Sequence, residues 1–146
     1  MRRAKRYSLE KGQRELIVSR IVGQLELMPE IIFAFVHGSF LEEETFGDID
    51  LALFLDPSCP PAKDRALEYE LEMERCLEKV AGFPVDVRIL NCAPQPFRYS
   101  VLKNGCLLFC RDEEIYAGFF SRTLALYFDF APYRKRYLKE VLGIEI

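Results

Sequence analysis

The chain has 146 residues, half of them hydrophobic and 29% charged. That is enough apolar material for one packed domain and too much for a chain that stays disordered. A net charge of -3 excludes a general nucleic-acid binder, which is ordinarily basic, so no direct nucleic-acid binding is expected.

The charge is unevenly spread. The start, MRRAKR, and a late stretch, YRKRYLK, are basic, whereas residues 42–50 are acidic. Both basic runs are read as solvated surface. The cysteines fall at 59, 76, 92, 106 and 110. Their odd number, with no leader and no apolar run of membrane-spanning length, points to a reduced cytoplasmic protein with free thiols and no membrane partner. His37 is the sole histidine, and CLLFC has poor spacing for metal binding, so a zinc set is excluded.

Apolar residues at Ile17, Ile21, Leu25 and Met28 recur at helical spacing, predicting a helix from Ser8 to Met28 with Ser8 as its cap. IIFAFVH, residues 31–37, reads as a buried strand between Pro29 and Gly38, and IDLALFL, residues 49–55, as a second. Only about a dozen residues separate them, so the two should be antiparallel or neighbouring strands. Pro60 and Pro61 suit a helix start, with Leu67, Leu71, Cys76 and Leu77 on its apolar face and Gly82 and Pro84 ending it. VDVRIL, residues 85–90, alternates as a third strand. FRYSVLKN should form a short helix closed by Gly105, and CLLFC a short strand. A helical pattern then runs from Asp112 to about Leu142. Asp112, Glu113 and Glu114 suit its positive end, and Pro132 should kink or divide it. No repeat or linker is visible. The expectation is one α/β (α+β) domain, a small mixed sheet flanked by helices, with a basic tail at 1–7, a core at 8–111 and a C-terminal helical segment at 112–146.

Chemistry concentrates in HGSFLEEETFGDID, residues 37–50. Asp48 and Asp50 stand two apart at the start of a strand, so their carboxylates face the same way. Converging carboxylates repel, and a divalent cation relieves the repulsion; magnesium prefers such hard oxygen ligands. Asp86 sits between valines in a segment that otherwise reads as buried strand. If that strand lies beside residues 49–55, Asp86 becomes a third carboxylate, and three carboxylates suit two metal ions. Gly38 and Ser39 follow the first strand directly. Glycine admits close backbone approach to a phosphate, and the serine hydroxyl can donate to it. Arg88 should share the face of Asp86 and pair with it. His37 is read as a hydrogen-bonded structural histidine rather than a base.

This ordered set of strand, Gly-Ser, short loop, Asp-x-Asp, strand, helix and strand with a central Asp resembles the DNA polymerase beta-like nucleotidyltransferases. Within them it resembles the minimal nucleotidyltransferase (MNT) antitoxins of HEPN/MNT toxin–antitoxin systems. VDVRILNCAPQPFRYSVLKNGCLLFCRDEE and LYFDFAPYRKRYL carry the likeness into the second half, so it spans roughly residues 15–140. The resemblance implies a polymerase beta palm-like fold. It also implies an ATP- and Mg2+-dependent enzyme, with Asp48, Asp50 and Asp86 as catalytic metal ligands holding two ions and Gly38 and Ser39 binding phosphates. The activity implied is transfer of AMP from ATP to a tyrosine hydroxyl of a partner HEPN RNase toxin, silencing it. The alternative is a weak or inactive member that neutralises its toxin by binding alone. Transfer to a small molecule is disfavoured, because 146 residues leave no room for a substrate-binding domain. Glu42, Glu43 and Glu44 depart from the family pattern; they are expected to face solvent, with Arg98 and Lys103 as the nearest compensating cations.

Overall fold

In the computed structural model, residues 5–58 and 65–142 are described, with side chains as far as residue 127. The main sheet has four strands, in the order β5 (Val85–Ile89), β4 (Ile49–Leu55), β2 (Ile31–His37) and β6 (Cys106–Cys110). β2 is central and antiparallel to both β4 and β6. β5 joins β4 in parallel. The pair expected from the short loop is therefore antiparallel. The third strand lies where a three-carboxylate cluster requires it.

Both faces of the sheet are covered, which is why β2 and β4 read as unbroken apolar runs rather than alternating ones. One face packs Ala34, Val36, Leu51, Leu53 and Val87 against α1 (Lys11–Glu26) and α3 (Ala66–Ala81) through Ile17, Ile21, Leu25, Met73 and Leu77. The other packs Phe33, Phe35, Ala52 and Phe54 against α4 (Gln95–Asn104) and α5 (Glu113–Leu142) through Val101 and Phe119. Phe33 stacks on Phe54 with centroids 4.8 Å apart. Asp112 caps α5, its Oδ1 accepting the Glu114 and Ile115 amides at 3.0 and 3.1 Å. Arg111 donates to the carbonyls of Glu26, Met28 and Ile31, tying the end of α1 to the sheet. Among the described residues, no helix is long and apolar enough to cross a membrane, and the four described cysteines, at 76, 92, 106 and 110, are free thiols.

Several local expectations are corrected. Ser8 does not cap α1. Tyr7–Ser8 forms a short strand, β1, antiparallel to β3 (Thr45–Phe46). The Tyr7 ring lies 5.7 Å from Phe46 and 5.0 Å from Phe83, so aromatic burial draws this segment into extended form. The helix begins three residues later, where the Glu10 amide donates to Gln13 Oε1 at 3.0 Å. The helix start expected at Pro60 and Pro61 lies outside the described residues. The buried stripe of α3 is Met73, Leu77 and Ala81, whereas Leu67 and Leu71 are 67% and 51% exposed.

That rotation of α3 has a cause in the sheet. β5 is an edge strand, and its outward amides need acceptors. Glu78, Glu74 and Glu70 accept the amides of Val85, Val87 and Ile89 at 3.1, 2.8 and 2.9 Å. Glutamates four apart stand in one row along a helix, directly beside the buried row of Met73, Leu77 and Ala81. Gly82 then ends α3 in the left-handed conformation, φ 79°. Residues 113–142 form one helix, undivided at Pro132.

Candidate active site

The register of the sheet assembles the site. His37 of β2 is opposite Asp50 of β4, and Asp50 is opposite Asp86 of β5. Asp48, just before β4, completes the group. One carboxylate oxygen from each of Asp48, Asp50 and Asp86 lies within 4.8 Å of the other two, and all three residues are half-buried. Asp50, the middle one, has its carboxyl pushed up to about 7, by burial first and then by the charges and hydrogen bonds of Asp48 and Asp86. A carboxyl that keeps its proton towards neutral pH through burial and two neighbouring carboxylates marks a site short of positive charge. Three converging oxygen donors with that electrostatic deficit fit a hard divalent cation.

Gly38 is at the rim of this cluster with φ 78° and ψ -158°, a combination open in practice only to glycine. A methyl group added there would collide with Oδ2 of Asp50. The backbone angle demands glycine, and a larger residue would also push the Asp50 carboxylate aside. Ser39 follows as the first residue of a single helical turn, α2 (Ser39–Glu42). The short loop expected between Ser39 and Asp48 contains α2 and β3.

Arginines hold that segment in place. Arg14 of α1 donates to the carbonyls of Leu9, Phe40 and Glu44, and its guanidinium lies 5.3 and 5.1 Å from the Phe40 and Phe46 ring centres. Arg6 pairs with Glu43 at 3.2 Å and donates to the Thr45 carbonyl at 2.6 Å. Glu42, Glu43 and Glu44 are all exposed, as expected. Part of the basic start is therefore not a free tail, because Arg6 is folded onto the loop.

Other expected cations do not serve the cluster. Arg88 shares the face of Asp86, but its guanidinium lies 5.6 Å from the Phe97 ring centre. Among the described residues, the ion pair is Arg6 with Glu43, so Arg88 does not pair with Asp86. Arg98 donates to the carbonyls of Leu90 and Asn91, where burial lowers its pKa. Lys103 is exposed in the last turn of α4. His37 is not the hydrogen-bonded residue expected. Its ring centre is 5.5 Å from that of Phe97, and its Nε2 is buried without a partner among the described residues. Burial lowers its pKa against the opposing pull of Asp86, so the neutral ring is favoured.

Glu74 was not anticipated. Its carboxyl accepts the Val87 amide and is hydrogen-bonded to the Asp86 side chain. Burial, partly offset by the Val87 amide, and then Asp86 and Glu78 raise its pKa. The E-x-x-x-E-x-x-x-E spacing of residues 70–78 was the available signal, hidden because such rows usually face solvent.

A family model for polymerase beta nucleotidyltransferases matches residues 20–114. A search of curated proteins finds no match. Among solved structures, a chain of the complex between a tri-AMPylated Shewanella oneidensis HEPN toxin and an MNT antitoxin is similar. It shows 18% identity and a TM-score of 0.66, over 88% of this chain and 98% of that one. A chain of a toxin–antitoxin structure with AMP-PNP shows 18% identity and a TM-score of 0.67, over 86% and 98%. A chain of the toxin–antitoxin complex MntA-HepT shows 16% identity and a TM-score of 0.61, over 91% and 99%. These likenesses establish the fold, and the family match spans well over half of the chain, including Gly38, Ser39 and all three aspartates: the chain belongs to the polymerase beta nucleotidyltransferase family.

Proposed function

We propose that this protein is an antitoxin that transfers AMP from ATP to a tyrosine hydroxyl of a HEPN-domain toxin, with Mg2+ at Asp48, Asp50 and Asp86. The observation that carries this reading is the convergence of those three carboxylates beside a glycine that its backbone angle requires, where a methyl group would displace the Asp50 carboxylate. The similar folds solved with a tri-AMPylated HEPN toxin and with AMP-PNP support the choice of acceptor and donor.

Mg2+, when bound, would neutralise the triphosphate and lower the energy of the departing pyrophosphate. The chain's own groups do the rest. The Gly38 backbone and Ser39 hydroxyl hold the terminal phosphates, which fixes the α-phosphorus in front of the carboxylates. The tyrosine oxygen forms a bond to that phosphorus, the bond to the β-phosphate oxygen breaks, and pyrophosphate leaves. Asp86, on the outer strand, accepts the hydroxyl proton. Arg14 and Arg6 keep the phosphate-facing loop from opening.

The test is incubation of the protein with α-labelled ATP, Mg2+ and a HEPN protein encoded beside it. Label is expected on the HEPN protein and not on its Tyr→Phe variant. Inhibition of the toxin without label would overturn the enzyme reading in favour of neutralisation by contact.

A further inference from the structure

The three glutamates of α3 make the same bond to β5, and they are not equivalent. Asp86 lies between Val85 and Val87, whose outward amides are held by Glu78 and Glu74. Glu74, in the middle of the row, also reaches the Asp86 side chain while its Oε2 holds the Val87 amide at 2.8 Å. Glu70, one turn earlier, holds the Ile89 amide at 2.9 Å, beyond Arg88.

A carboxylate on an edge strand has a free rotamer on its outer side unless something stops it. Asp50 fills the space beside Gly38 and touches Asp48, whereas among the described residues no strand lies beyond Asp86. A side chain that spans the Val87 amide and the Asp86 carboxyl leaves Asp86 one orientation, towards Asp50.

We propose that Glu74 is a positioning residue that orients Asp86 for metal binding, while Glu70 and Glu78 serve only the sheet edge. This inference rests on the reading of Asp86 as a metal ligand, and it deepens that reading by giving the ligand its support. Residues that orient metal ligands typically change affinity by about 10- to 100-fold when removed.

The experiment measures Mn2+ binding to the purified full chain by electron paramagnetic resonance, without ATP or acceptor. Glu74→Ala is expected to weaken binding about 10-fold. Glu74→Gln keeps an acceptor for the Val87 amide and gains a donor for Asp86, so it should stay within about 3-fold of the parent. Glu70→Ala and Glu78→Ala lose the same kind of edge bond and should leave Mn2+ affinity unchanged, although they melt earlier. If Glu74→Ala does not fold, Glu74→Asp, too short to span both partners, takes its place with the same expected loss. Unchanged affinity in the shortened variants, equal losses at all three glutamates, or a Glu74→Gln variant as weak as Glu74→Ala would each overturn the proposal. So would a parent protein that binds no Mn2+. A parent that binds Mn2+ normally but transfers no AMP would overturn only the transfer reading, and the affinity series would still decide the role of Glu74.

Discussion

Asp50→Asn should abolish AMP transfer and yet stabilise the metal-free protein, with a gain that depends on pH. The folded protein holds the Asp50 proton up to about pH 7, against an ordinary value of 3.8. Between those limits the folded state binds more protons than the unfolded one, so the contribution of Asp50 to stability is full below about pH 4 and is lost as pH rises to about 7. A fully desolvated carboxyl would lose about 4 kcal/mol over that range. Asp50 is half-buried, and solvent screening reduces the expected loss to about 1–2 kcal/mol. Asparagine matches the neutral form in shape and cannot ionise. At pH 8 without metal, Asp50→Asn should therefore be about 1–2 kcal/mol more stable than the parent, a rise of about 3–6 °C in melting temperature. At pH 4.5 the two should nearly coincide. Thermal melts in chelator at both pH values measure this, and addition of Mg2+ should stabilise the parent much more than the variant. A gain of equal size at both pH values, or no gain at pH 8, would refute the electrostatic account of the cluster.

Gly38→Ala should fold less stably by about 1–3 kcal/mol from backbone strain alone. It should also lose nucleotide binding, because the new methyl group displaces the Asp50 carboxylate; calorimetric titration with a non-hydrolysable ATP analogue checks this. Arg14→Ala removes a charged donor from three carbonyls and uncovers Phe40 and Phe46. It should cost about 2–3 kcal/mol in urea denaturation and raise KM for ATP more than it lowers kcat, since it loosens the phosphate side of the site and leaves the aspartates in place.

The carboxylates were legible in the sequence because each broke a local rule. Asp86 interrupts a buried apolar strand, and Asp48 and Asp50 place two like charges on one face. Such violations are affordable only where something else compensates them, which is why they mark a candidate site in the sequence alone. Parallel pairing of β5 with β4 did not follow from the local pattern and had to be observed. The errors arose where long-range packing outweighed local preference. Ser8 is a good cap by composition, but aromatic contacts of Tyr7 with Phe46 and Phe83 claim its segment for a strand. Leu67 and Leu71 fit an apolar stripe, but the need to satisfy the β5 amides turns α3 towards Met73 and Leu77. Arg88 was assigned to the nearest opposite charge, whereas an aromatic ring from α4 takes it. None of these competitors is within a few residues of the position it decides.

The row of glutamates along α3 also gives the sheet a direction for association. With the outward amides of Val85, Val87 and Ile89 already taken, an incoming strand finds no donors on the β5 side. Among the described residues, the strand at the opposite edge, Cys106–Cys110, has no neighbour beyond it. Extension of this sheet by another chain, whether productive assembly or aggregation, has one place to begin. That place is at the far side of β2 from Asp86, so a strand added there would leave the outermost carboxylate of the cluster uncovered.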